Sequence, residues 1–342
     1  MLPESEAYIY ELNQWLPQML AFHHPAKQSL EPTTFLRIQQ NLLTSSSFSH
    51  ELTRLHVTHQ RSSSGNNLTT TTVLMPRGFR SDFMHVNFII AYLALSQMIY
   101  HRGDQGLLAR DFAQALYPEP EASENSSSST AAKMFERVLA TVRFRRGFSL
   151  EQALAVLPAL IVQYDEQGLS RDTAILPNPD AMSFNSFMDL PKVFSDDPAF
   201  GVCHIRKMNT ASFLSGQWLG IYTDQRWEIG RDQIDPPMRN INLVCRRPAE
   251  EDSIEEQDTN VSVLIDEESQ GIDSHGYFSL KGWIRLDGAV FLSKNYFAAG
   301  FSWSWLGQLT PFGIVGAWGD GDIFGGHFWI WKKEWLTPGD LA

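Results

Sequence analysis

Cysteine is nearly absent from this sequence: Cys203 and Cys245 are the two in 342 residues. They lie far apart in the chain and do not form a metal-type pair, so they predict two reduced thiols rather than a disulfide framework. Positive charge is also scarce. Lys and Arg number 27 against 39 Asp and Glu, a net charge of −12. That balance argues against nucleic acid as a partner, because phosphate binding needs a basic surface. No apolar run reaches the length of a membrane span. The opening MLPESEAYIYELNQWLPQML lacks the basic and apolar regions of a secretory leader. These absences predict a protein of the cytoplasm or nucleus with no membrane partner. Catalytic signatures are missing as well: there is no His-Glu-x-x-His, no cysteine pair at zinc spacing and no Gly-x-Ser-x-Gly elbow. No metal and no cofactor is implied.

What is present falls into two halves. Hydrophobic residues make up 43%, enough for a substantial core. Nine of the ten Trp lie at or after Trp218, and seventeen of the 23 Gly at or after Gly201. The first half instead carries apolar residues at steps of three and four. Ile9, Leu12, Leu16 and Met19 form one such face, and Phe83, Val86, Ile90, Leu93 and Met98 another. The segment SLEQALAVLPALIVQYDEQG predicts a further helix with Ser149 as N-cap and Gly168 near its C-terminus. An α-helical domain is therefore expected over residues 1–168, interrupted by polar loops at 61–72 and 118–129. An irregular, Pro-rich connector follows over 169–212.

From there the period changes to two. In GQWLGIYT, Trp218, Gly220 and Tyr222 alternate with Gln217, Leu219 and Ile221. INLVCRR, VSVLIDE, YFSLKGWIRL, AVFLSKNYFA, FSWSWLGQL, GIVGAW and HFWIWKKEW complete about eight strands. Phe278, Leu280, Ile284 and Leu286 should share one side. Asp287-Gly288 predicts a hairpin turn, because both residues accept positive φ. The expected fold class is α+β: the helical domain, then an antiparallel, roughly eight-stranded β-barrel over 213–336, lipocalin-like in outline. Closure would also remove the aromatic strand edges. On the last strand, Trp329, Trp331 and His327 share one face, and Phe328 and Ile330 share the other.

An ordered series of short pieces runs through this half. Trp218, Gly220 and Tyr222 come first, then Asp235 to Met238 in DPPM, then Gly271, Asp273, Gly276 and Phe278 in GIDSHGYFSLKG. Gly288, Val290, Lys294 and Tyr296 follow, then Trp305 and Gly307, then TPFGIVGAWG and GGHFWIWKKEW. In this order they resemble the barrel module that follows the F-box in fungal F-box-like proteins. They are more distantly similar to the substrate-binding domain of human F-box protein 31. The resemblance covers residues 213–335. It implies the barrel and a recognition role for it; the ubiquitin-ligase adaptor function is not carried over with it, and only an adaptor version of the protein would have a Skp1-like protein as a partner of the helical half. The N-terminal segment begins with Leu-Pro, as an F-box does, but its remainder departs from that pattern.

Several residues could carry chemistry. Asp273 and His275 in GIDSHG, with Lys294, could form an acid/base group at a barrel mouth; Asp273 could equally stabilise a turn. Asp235-Pro-Pro-Met238 is a rigid, extended corner whose carboxylate could meet a ligand or backbone amides. Trp218, Tyr222, Tyr296, Trp303, Trp305, Trp318, Trp329 and Trp331 could line an apolar cavity or pack as core. His23-His24 and His56-x-x-His59 lack further ligands. The expected function is recognition of a peptide or small apolar ligand by the barrel, as in an F-box-like ubiquitin-ligase receptor. The alternative is a cofactor-independent cyclase or isomerase of fungal secondary metabolism using Asp273, His275 or Lys294.

Overall fold

The computed structural model describes residues 91, 95, 148–167, 169, 175–178, 181–182, 203–224, 233–249, 260–298, 300–320 and 323–336. Ala91 and Leu95 are helical and buried. The other helices expected before Ser149, the two polar loops and the paired histidines lie outside the described residues.

Ser149 caps helix α1 (Leu150–Glu166) as expected. Its side chain accepts from the Gln152 amide at 3.2 Å, and the Gln152 side chain accepts from the Ser149 amide at 2.9 Å. This reciprocal box satisfies two of the amides that a helix start leaves bare. Leu154, Leu157, Leu160 and Ile161 are buried, and α1 packs on the outside of the barrel wall.

The barrel strands are β1 (Gly216–Asp224), β2 (Gln233–Ile234), β3 (Met238–Leu243), β4 (Cys245–Arg246), β5 (Val261–Asp273), β6 (Gly276–Arg285), β7 (Ala289–Tyr296), β8 (Phe301–Thr310), β9 (Gly313–Asp320) and β10 (Ile323–Lys332). All pairings are antiparallel. The order is β1-β3-β5-β6-β7-β8-β9-β10, and β10 pairs back onto β1, with Trp218 facing Lys332 and Tyr222 facing Phe328. Short β2 and β4 extend the path of β3. Asp235-Pro-Pro interrupts it between β2 and β3, because proline offers no amide to the ladder. The result is an eight-stranded up-and-down barrel without a free edge.

Alternation decides which side chains point inward. On β7 the inner set is Val290, Leu292, Lys294 and Tyr296, all buried. Register carries this set onto Ile284, Gly282, Leu280 and Phe278 of β6, and onto Gly307, Trp305, Trp303 and Phe301 of β8. It continues through Trp318 of β9 and Phe328 of β10 to Tyr222 of β1. The middle of the barrel is full. A Cβ on Gly220 would come within 2.5 Å of Ile330 Cγ2 and 2.9 Å of Met238 Cε. Trp305 stacks on Phe328 with ring centroids 4.1 Å apart.

One expectation needs correction. Leu286 does not continue the inner row of β6: it stands beyond the strand end and is 65% exposed. The Asp287-Gly288 hairpin forms as expected between β6 and β7. Gly288 takes positive φ, at 82°, and Asp287 supports the turn through its carboxylate, which accepts from the Ala289 amide at 3.1 Å.

The barrel ends differ. At one, α2 (Cys203–Met208), α3 (Ala211–Leu214) and a 3-10 turn (Lys333–Trp335) form a lid. His204 Nε2 donates to the Leu309 carbonyl at 2.9 Å, Asn209 Nδ2 to the Arg285 carbonyl at 2.7 Å, and Trp218 Nε1 to the Leu214 carbonyl at 2.8 Å. At the other end lie Ser274 and His275, the β7–β8 turn, and the β9–β10 turn. Among the described residues, no helix is long and apolar enough to cross a membrane.

Candidate functional site: an aromatic cleft over a buried ion pair

Lys294 enters the site because β7 alternates strictly, which commits an ammonium to the barrel interior. Its side chain is 2% exposed, and it is paired with Asp273, whose side chain is fully buried. Asp273 is the last residue of β5 and lies two residues on from Gly271, which pairs with inward Phe278, so alternation puts its carboxylate on the inner row. One oxygen accepts from both Lys294 Nζ and the Tyr296 hydroxyl; the other accepts from the His275 amide at 2.8 Å. The turn reading of Asp273 is what the His275 amide contact supports, and the carboxylate is paired with the lysine as well.

The remaining contacts of Lys294 are soft. Its Nζ lies 4.1 Å from the Phe278 ring centroid, 4.9 Å from Tyr222, 5.0 Å from Trp305 and 5.1 Å from Tyr296. Met238 Sδ is 3.6 Å away. Ring faces attract a cation and partly replace lost water. Burial still pushes the ammonium down to about 8, against the opposing pull of Asp273 and Asp235. At neutral pH it remains mostly charged. Burial raises the Tyr296 phenol, reinforced by its bond to Asp273. Burial also raises the Tyr222 phenol, although its 3.1 Å contact with Ser274 Oγ opposes the shift. Both phenols are therefore proton donors at neutral pH.

Above this pair lies a cleft lined by Tyr222, His275, Lys294, Tyr296, Trp303, Trp305 and Trp318. The rings lock one another edge to face: Trp303 on Trp318 at 5.3 Å, Trp318 on Tyr222 at 5.9 Å and His275 on Tyr296 at 5.9 Å. Trp318 Nε1 donates to the Thr223 carbonyl at 2.9 Å, which fixes its tilt. A side chain at Gly325 would collide with the Trp318 ring at 2.5 Å. The room inside it for a water-sized body is about 10 Å³, space for about one water and far below the roughly 300–1,000 Å³ of sites that engulf a whole drug-sized ligand.

The structure therefore gathers Tyr222, Tyr296, Trp303, Trp305 and Trp318 with Asp273, His275 and Lys294, and places Met238 against the lysine. Asp235 reaches the rim, 4.0 Å from His275 Nε2. Three other residues named from the sequence lie elsewhere. Trp218 is inward but at the lidded end. Trp329 and Trp331 are on the outer face of β10, donating to the Phe312 and Ile175 carbonyls at 2.8 and 2.9 Å. They help seat the chain that covers the wall. Asp224 and Phe278 were not singled out as site residues. Asp224 continues the inward row Trp218-Gly220-Tyr222 by one step, so alternation could have found it. Its carboxylate, that of Asp235 and the His275 ring present ligand atoms within 4.8 Å of one another.

Compared with models of protein families, with curated proteins and with solved structures, the chain matches none.

Proposed function

We propose that the barrel is a recognition module that takes part of a peptide or small ligand into the aromatic cleft at its open end. The supporting observation is the packed middle of the barrel: among the described residues, Gly220, Trp305 and Phe328 close it, and the aromatic cleft lies beyond them at the mouth. There it meets rigid aromatic faces and a buried ion pair. Large, pre-positioned rings give contact area at little entropic cost. The F-box-like reading adds a Skp1-like partner for the helical half and a substrate for the cleft. Native mass spectrometry of the full chain purified from cells that express it tests the recognition reading. A bound molecule or protein whose occupancy falls in Trp303→Ala is the expected result. An apo mass with no partner in either protein counts against it. Co-precipitation of the full chain with a Skp1-like protein tests the adaptor part separately.

A second reading draws support from Lys294. An ammonium pushed down to about 8 beside a carboxylate and a phenol is suited to moving a proton within a cofactor-independent cyclase or isomerase. Under that reading, Lys294→Met abolishes turnover of a co-purified small molecule. Under recognition alone there is no turnover to lose.

A further inference from the structure

The lid holds a buried group that can change its charge. His204 of α2 is 1% exposed, and its Nε2 donates to the Leu309 carbonyl of β8 at 2.9 Å. The other ring nitrogen, Nδ1, is buried with no hydrogen-bond partner among the described residues. This arrangement suits a neutral ring, which donates once. An imidazolium would bring a second N–H and a charge into a place with nothing to receive them. The surroundings offer no relief. β8 and α3, which pack on α2, contain no ionisable residue. Among the described side chains of α2 itself, Arg206 and Lys207 are positive and exposed. At the β6–β7 turn, where Ile205 lies against Gly288, Arg285 and Asp287 pair with each other at 2.8 Å. Burial accordingly pushes the ring down to about 4, against the opposing pull of the Leu309 carbonyl. The chain that follows α2 has anchors that do not ionise. Asn209 Nδ2 donates to the Arg285 carbonyl, the Thr210 hydroxyl accepts from the Phe213 amide at 3.2 Å, and the Leu214 carbonyl receives Trp218 Nε1.

We propose that α2 is an acid-released latch: protonation of His204 frees α2 from the barrel end, about a hinge at Asn209 and Thr210, while α3 and the strands stay in place. Release uncovers Ile205 and Met208, both buried in the closed state, and leaves the Leu309 carbonyl to water. The device is independent of the recognition reading, which concerns the other end of the barrel. The direction follows from linkage. The ring binds a proton less readily when α2 is closed than when it is open. The closed state is therefore favoured in full above about pH 6.5, and opening grows as pH falls toward 4. Local opening comes before global unfolding because α2 is six residues long, whereas each strand is held by a ladder on both sides.

The test is hydrogen–deuterium exchange of the full chain, read by mass spectrometry at pH 7 and pH 5 and expressed as protection factors, which divide out the intrinsic pH dependence of exchange. Native protein is compared with His204→Gln, which keeps a donor for the Leu309 carbonyl and takes up no proton, and with Asn209→Ala, which loosens the lid without touching the titrating ring. In the native chain, protection over residues 203–209 should fall about twentyfold from pH 7 to pH 5, while strands β5 to β9 keep theirs. His204→Gln should show no such fall. Asn209→Ala should lower protection at both pH values and keep the native slope. Equal protection of 203–209 in the native chain at the two pH values would overturn the latch, and that comparison needs no variant. A slope that survives in His204→Gln, or strands that open together with α2, would overturn it as well.

Discussion

Each end of the barrel holds a buried lysine, and the two are handled in opposite ways. Lys332 sits at the lidded end, 6% exposed, beside Trp218 and Phe213, with ring centroids 5.3 and 5.2 Å from its Nζ. It donates to the Ser215 carbonyl at 2.9 Å. Burial lowers its pKa, and Glu334 opposes the shift. Lys294 sits at the open end with a fully buried carboxylate, a phenol on that carboxylate and a cleft above. The first lysine uses a backbone group of the lid and fixes structure. The second uses a side-chain network that borders the aromatic cleft. Burial alone therefore does not mark a functional lysine; the partner and the access do.

The largest effect expected from breaking this contrast lies in the ion pair. Lys294→Met and Asp273→Asn should each cost about 3–5 kcal/mol, because each strands a buried charge, while the double variant should cost much less than their sum. Denaturant melts of the four proteins measure this. Additive losses would mean that the pair is not a coupled unit. Trp329→Ala, on the outer face of β10, should also cost about 3–5 kcal/mol through the cavity it leaves, but without changing what the cleft binds. Lys332→Met should be mild, about 1 kcal/mol, since it removes one hydrogen bond and keeps the apolar stem. A loss as large as that of Lys294→Met would erase the distinction between the ends.

A smaller, pH-dependent effect sharpens the role of the lid and wall. Burial pushes His204 down to about 4 and His327 down to about 3. Both folded values lie below that of the unfolded chain. Their contribution is therefore complete above about pH 6.5 and is lost as pH falls toward 4. Melting temperature should fall through that window, and His204→Gln, which keeps a donor for the Leu309 carbonyl, should flatten part of the slope. Lys294 works in the alkaline range. Its lowered folded value makes stability rise between about pH 8 and 10.5, an arm that Lys294→Met/Asp273→Asn should remove.

Period-two alternation made the barrel legible, and the Ser149 cap placed α1. Alternation could not say which face of β10 turns inward. Trp329 and Trp331 looked like cavity residues because α1 and its neighbours bury the outer wall, so both faces of that strand are apolar. Trp218 misled for another reason. It shares a face with Tyr222, but four residues at about 3.3 Å each carry it to the other end of the barrel. The Asp273–Lys294 contact joins residues 21 apart in sequence, and only the β5–β6 and β6–β7 registers bring them together. Spacing alone therefore left Asp273 between a turn and an acid/base group.

The most direct test of the account compares three versions of the full chain purified from cells that express it: native, Phe301→Ser/Trp303→Ala at the open end, and Lys332→Met at the lidded end. Bound proteins and small molecules are quantified by mass spectrometry, and melting temperatures are recorded alongside. The account predicts that the partner is lost from the open-end variant and retained by the lidded-end variant. Equal retention by both, with the open-end variant folded, would contradict it.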